Sequence, residues 1–310
     1  MTGTKIVKLK LEGGGAADRL PQLREPSRPV EVDELVSLYD KVIVPENETW
    51  NVGKYYEGYL AETNGMDTNP KQLQEVLDRL EENYGQERDY SEKAGSLLTA
   101  LMQNSHHKLF ELKSELPLSR LGFRLSGRKS VSISGDVGSD VGREMENGFI
   151  TVNGHSGDEL GMEMKGGRIV VEKTAKDRAG YKMAGGTIHV KGEVNEEAGR
   201  LMTAGTIVIE KNAGVLTGDG MEGGSIHVKG DATEKTGFMM KGGSILVDGN
   251  AGPDTGCMMK GGFIHVKGNA YQQTGPLAEG GKIIIDKWGM SGGGIKEGCE
   301  LWINGKKENP

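Results

Sequence analysis

Three histidines, His189, His227 and His265, recur every 38 residues, and two cysteines, Cys257 and Cys299, stand 42 positions apart. Imidazole and thiol groups are the side chains that most readily ligate metals or act as bases and nucleophiles near neutral pH. Their spacing argues against both uses. No CxxC pair and no histidine cluster at metal-ligand spacing is present, so the chain shows neither a disulfide framework nor a zinc or iron–sulfur signature. His106 and His107 are adjacent on an expected helix and diverge. Cys257 follows a glycine at a place held by Phe238, Asp219 and Tyr181 in sibling segments, with no base nearby in the pattern, and reads as a passive thiol. The glycine clusters GGGAAD (13–18) and SGGGIKEG (291–298) lack the GxxxxGK[ST] or strand-GxGxxG-helix context of a phosphate cradle and read as turns. The expectation is therefore a chain with no catalytic, cofactor or metal site of its own.

Composition narrows the class. Fifty of the 310 residues are glycine, more than twice the usual share of about 7%. Glycine enrichment without proline enrichment points to many tight turns. The net charge of -7 argues against non-specific affinity for nucleic acid or anionic lipid. With no signal sequence and no apolar run near 18 residues, a soluble cytoplasmic protein without a membrane partner is expected.

What must position these side chains is an internal repeat. From Gly142 to Gly275 every nineteenth residue is glycine, eight in a row. Three positions later stand Met145, Met164, Met183, Met202, Met221, Met240 and Met259, with Ala278 closing the set. Eight positions after each glycine comes Ile150, Ile169, Ile188, Ile207, Ile226, Ile245, Ile264 or Ile283, followed two residues on by valine or isoleucine. A short IxV strand points both residues to one side and cannot be stable alone. Stacking copies of it is the available solution. The fold expected is mainly β, a parallel β-helix of 19-residue coils with about ten rungs over 126–310, counting a partial coil at Val131–Ile133 and a last one in GCELWING (298–305). Glycine pairs form the corners, and methionine and isoleucine columns fill the core. Successive histidines then lie two rungs or about 9–10 Å apart, too far to share a metal whose ligands sit at about 2 Å.

Outward positions carry a second pattern. The residue after each IxV runs Glu172, Lys191, Glu210, Lys229, Asp248, Lys267, Asp286, and alternation of sign at every step predicts a ladder in which each charge meets an opposite charge on both sides. The middle residue of IxV runs Val170, His189, Val208, His227, Leu246, His265, Ile284, with Trp302 beyond, so the full period is 38 residues. This column faces outward yet is half apolar. It is expected to be covered, either by the N-terminal region or by a partner subunit.

The first 125 residues read as a mixed segment with a helical pair that caps or docks on the first coil. IVKLKLE (6–12) alternates like a strand and 21–29 reads as a linker. Glu31–Val44 combines a short helix with a strand-like KVIV end. Helices are expected from Pro70 through ENYG, with Leu73, Val76, Leu77 and Leu80 on one face, and from Ser91 to about Leu112, with Leu97, Leu98, Leu101 and Leu109 as its stripe.

The phrases GFMMKGGSILVDGNAG (237–252) and GDGMEGGSIHVKGDAT (218–233) resemble the GXGXG repeat family. That family includes the repeat-bearing subunit of formylmethanofuran dehydrogenase, its counterpart in the bacterial formyltransferase/hydrolase complex, and the C-terminal domain of the glutamate synthase large subunit. The likeness spans about 126–305. The methionine column and the opening VSISGDVGSDVGREMENGFITVNG (131–154) look more like the formylmethanofuran dehydrogenase subunit. The resemblance implies a right-handed β-helix that acts as a non-catalytic scaffold in the C1 metabolism of methanogenesis. Its partners would be a molybdopterin subunit and an amidohydrolase-like subunit. The tungsten or molybdenum pterin, iron–sulfur clusters and binuclear metal belong to those partners. The alternatives are a β-helix subunit of a glutamate synthase-like amidotransferase and a self-standing structural solenoid. The helices expected between about 70 and 114 depart from the family's short lead-in.

Overall fold

The computed structural model of the chain describes residues 28–44 and 53–308. The strand pattern of 6–12, the glycine cluster of 13–18 and most of the expected linker at 21–29 lie outside the described residues. The N-terminal part begins with β1 (Arg28–Pro29) and α1 (Val32–Ser37), followed by α2 (Lys54–Glu62) and β2 (Met66–Asp67), which pairs with β1 in parallel. The helix α3 (Pro70–Tyr84) starts where the sequence predicts: Asn69 and Gln72 form a reciprocal capping box at 3.0 Å each, and Pro70 occupies the first turn. Its Leu73, Val76, Leu77 and Leu80 are fully buried.

Three expectations fail here, each for a local reason. KVIV (41–44) forms no strand. Four residues need a sheet edge to pair with, and this stretch instead lays Val42 against Gly58 of α2 while Ile43 is exposed. The expected second helix, α4, covers Tyr90–Asn104 and stops well before Leu112. Ser105 turns the chain, its hydroxyl donating to Thr68 O at 2.6 Å, and His106 N donates to Asp67 Oδ1 at 2.8 Å. Leu109 therefore leaves the helical stripe and lies exposed on β3 (Leu109–Lys113), whose Phe110 and Leu112 face the core with period two. His106 and His107 stand in the turn between these elements rather than on a helix.

The rest of the chain is a parallel β-solenoid. The rungs are β4 (Ser130–Ser134), β5 (Phe149–Val152), β6 (Arg168–Val171), β7 (Ala184–Val190), β8 (Ala204–Ile209), β9 (Ser225–Val228), β10 (Ser244–Val247) and β11 (Phe263–Val266). β12 (Ala270–Thr274) then pairs with β14 (Gly289–Ser291) in a side sheet. β13 (Gly281–Ile285) and β15 (Cys299–Ile303) finish the main stack, and β16 (Lys306–Glu308) folds back antiparallel on β15. The order is that of the sequence, from β3 to β16, in one twelve-stranded sheet. The IxV register is kept from rung to rung, as in Ile226↔Ile245↔Ile264↔Ile283, and across the shorter last coil, where Ile283 meets Leu301, while β7 and β8 slip by one residue ahead of it, between Ala184 and Thr187. The sheet begins with β3, a rung ahead of residue 126, where the repeat becomes legible.

The methionine and isoleucine columns form the core. Met145, Met164, Met183, Met202, Met221, Met240 and Met259 are fully buried, as are the isoleucines from Ile150 to Ile283. Two glycines explain the repeated phrase. Gly237 adopts φ +69°, and a Cβ there would stand 2.4 Å from Ile264 Cδ1, a residue of the next rung. Gly243, at φ +82°, would bring a Cβ to 2.7 Å from Met221 Cε, so the methyl end of each methionine fills the space a side chain would occupy one coil on.

A second stack runs along another side of the coil, Ala213↔Ala232↔Ala251↔Ala270, all buried. Beside it runs an amide ladder. Asn212, Asp231, Asn250 and Asn269 each accept from the backbone N–H of the residue one coil on, at 2.6–3.2 Å.

The helices close the N-terminal end of the stack. Gln74 of α3 donates to Lys113 O at 2.8 Å and accepts from Lys113 N at 2.7 Å, occupying backbone groups of the end strand β3. Thr99 of α4 accepts from Gly122 N at 2.9 Å, and Tyr56 of α2 meets Phe123 edge-on at 5.3 Å between centroids. Arg120, buried in the first coil, pairs with Glu92 of α4 at 3.1 Å.

Candidate functional site

All eight residues of the expected interface fall in one column. Val170, His189, Val208, His227, Leu246, His265, Ile284 and Trp302 are consecutive in-register partners across β6, β7, β8, β9, β10, β11, β13 and β15. Val170 is buried, and the other seven are half-buried. The helices sit at the end of the stack, so among the described residues they do not lie over this column.

The charged column two residues on differs from the expected ladder. Each lysine reaches back only to the acid of the preceding rung: Lys191 to Glu172 at 2.6 Å, Lys229 to Glu210 at 2.7 Å and Lys267 to Asp248 at 2.7 Å. On the side of the preceding rung, Glu210, Asp248 and Asp286 are each met by a histidine, whereas Glu172 is not. His189 Nε2 lies 2.6 Å from Glu210, His227 Nε2 2.9 Å from Asp248, and His265 Nε2 2.9 Å from Asp286. Each ammonium takes the acid of the preceding rung, and the imidazole on the same outer face of the strand reaches diagonally across to the acid of the following rung. The result is a clasp of histidine, acid and lysine, complete at Glu210 and again two coils on at Asp248.

The clasp sets the electrostatics of the acids. The Lys229 bond first, and the His189 bond second, hold the Glu210 carboxyl below its usual range. At Asp248, burial acts upward and is outweighed by the bonds from Lys267 and His227, so this carboxyl also lies low.

The column opens into a groove at its C-terminal end. Lys282, Ile284, Asp286, Trp302, Asn304 and Gly305 line a space of about 510 Å³. Lys282 sits over the Trp302 ring at 5.3 Å and lies 3.6 Å from Glu300.

Other reactive groups are answered within the fold. Asp140 and Glu159 approach one another on a turn, and burial followed by the Asp140 charge raises the Glu159 carboxyl. Two guanidiniums attend the pair: Arg143, 2.9 Å from Asp140, and Arg178, 3.0 Å from Glu159. The Cys257 and Cys299 thiols are both pushed up by burial, opposite to what a thiolate nucleophile requires. Among the described residues no group of three or more His, Cys, Asp or Glu is placed to hold a metal ion.

Sequence reasoning missed three features. The histidine–acid bonds were legible only as a spacing of 21 residues, from His189 to Glu210 for example, which crosses the repeat. The amide ladder had a direct signal in the spacing of Asn212, Asp231, Asn250 and Asn269. Tyr271 of β12 and Trp288, just ahead of β14, stand exposed with ring centroids 6.4 Å apart, and Met290 of β14 is exposed as well.

No protein-family model matches the chain, and no curated protein matches it. No described helix is long and apolar enough to cross a membrane. The parallel β-solenoid is the relationship that sequence and structure share.

Proposed function

We propose that the chain is a scaffold subunit that docks partner proteins on the outward column from Val170 to Trp302. One observation carries this reading. Val208, Leu246, Ile284 and Trp302 form a half-exposed apolar row along one sheet face, and the chain's own helices stand at the end of the stack rather than over it. A solvated sheet face has no need of such a row. The two ends of the solenoid support docking over open-ended stacking, because the helices cover one and the short antiparallel β16 reverses the strand direction at the other.

The repeat phrases give the assembly its identity in this proposal. On their likeness to the formylmethanofuran dehydrogenase subunit, the partners are a molybdopterin subunit and an amidohydrolase-like subunit of a cytoplasmic C1 complex. The tungsten or molybdenum pterin, iron–sulfur clusters and binuclear metal reside in those partners. Here the chain supplies position and surface, while the partners supply reduction and formyl transfer.

The test is gentle affinity purification from the native organism, with mass spectrometry of the bound chains and metal analysis of the same fraction. Tungsten or molybdenum together with an amidohydrolase-like partner is the expected result. A synthase and a glutaminase in its place would move the chain to the amidotransferase reading, and a chain recovered alone and metal-free would overturn the scaffold.

A further inference from the structure

The charged column stops one cation short. Glu172, Glu210 and Asp248 are each met by a lysine of the following rung at 2.6–2.7 Å. Asp286 continues the column and takes His265 from the preceding rung at 2.9 Å. On the following rung the register Ile285↔Ile303 brings Asn304 to the place where the rule would put a lysine. Among the described residues, no lysine or arginine forms an ion pair with Asp286. Its side chain is 45% exposed, against 28% for Glu210 and Asp248.

The space beside it is the groove already described, with Ile284 and Trp302 between Lys282 and Asp286. Lys282 stands four residues from Asp286 along the strand, roughly 13 Å, beyond the screening distance of about 8 Å at physiological salt. Its charge is engaged by Glu300 and the Trp302 ring, and Lys307 lies 3.3 Å from Glu300. The Asp286 end is thus acidic, next to an apolar surface the length of an alkyl stem.

We propose that this groove receives a lysine or arginine side chain of a partner protein, its stem on Ile284 and Trp302 and its cation on Asp286. The inference rests on the docking reading and adds to it: the partner supplies the ladder's missing cation. Charge complementarity selects that occupant, because every preceding acid of the column has a cation from the next rung.

Titration with butylguanidinium, following the Trp302 indole N–H resonance in the full-length protein, tests the site directly. Trp302→Phe identifies the resonance. A saturable shift in the millimolar range is expected, weakened roughly tenfold in Asp286→Asn by loss of a charge-assisted bond and absent with butyrate. Asn304→Lys, which restores the lysine within the chain, is expected to block the shift while the protein stays folded. No shift with butylguanidinium, or equal shifts with butyrate or in Asp286→Asn, would overturn the cation site. A dimer in solution that Asp286→Asn dissolves would assign the groove to a second copy of the chain and overturn the partner.

The complex separates this proposal from the docking reading. Loss of partner in Leu246→Glu but not in Asp286→Asn would keep the column and overturn the groove as its anchor. Retention of partner by both variants would overturn docking on the column, leaving the cation site to be judged by the titration.

Discussion

His227 Nε2 lies 2.9 Å from one Asp248 oxygen, and Lys267 Nζ, from the rung beyond, lies 2.7 Å from the other. One carboxylate thus ties three successive coils on the outer face. The sign alternation along the column sets which coils can be neighbours, since a slip of one coil would bring lysine against lysine.

Replacing Asp248 by Asn removes both ionic contacts of the clasp. Half-exposed pairs contribute modestly, so a loss of about 1 kcal/mol is expected, measured by urea denaturation. Asp248→Lys, which places a third lysine between Lys229 and Lys267, is expected to cost more than Asp248→Asn. Equal stability of the two variants would contradict the clasp.

Acid should release the same clasp. The Glu210 and Asp248 carboxyls are lowered in the folded state, so their contribution is present above the unfolded carboxylate range of about 4 and is lost as pH falls through the lower folded values. The stability gap between the native protein and a Glu210→Gln/Asp248→Asn double variant is therefore expected to be full at neutral pH and to shrink below that range. A gap that grows on acidification would have the wrong sign.

Gly237→Ala tests the corner. The residue combines φ +69° with Ile264 Cδ1 only 2.4 Å from where the new methyl would stand, so strain and overpacking act together and about 1–3 kcal/mol is expected to be lost. Gly293→Ala, where nothing stands within 4 Å, is the control and should leave the melting temperature nearly unchanged. Similar melting for both would refute the packing role of the glycine column.

Ile245→Asp places an unpaired charge among Ile226, Ile264 and the methionine column, all fully or almost fully buried. The loss should far exceed that of an ordinary surface substitution and unfold several coils. Circular dichroism and limited proteolysis would detect it. An unchanged melting curve would sink the solenoid account.

The sequence was most informative where one local rule repeats. Gly237, Met240 and Ile245 recur at fixed offsets, and each sits where the repeat places it. It was least informative where contacts join different rungs or different patterns. Leu109 fits a helical stripe as well as a strand, and the choice was made by pairing with Ser130–Ser134, a contact the local pattern does not contain. His227 and Asp248 occupy different columns of different coils, so their bond becomes visible only once both the register and the diagonal reach are known. Tyr55, Tyr56 and Tyr59 of α2 are buried by tertiary packing, Tyr56 against Phe123 of the first coil, an effect that their weakly patterned segment did not signal.

The central claim, that partners dock on the outward column, is tested most directly by Leu246→Glu. Leu246 is half-buried on the outer face, between His227 and His265 and away from the core, so the variant should keep the circular dichroism spectrum and melting temperature of the native protein. Light scattering of the affinity-purified material should then show a native complex for the unaltered chain and a free subunit for the variant. A folded variant that still runs at the mass of the full complex would contradict the account.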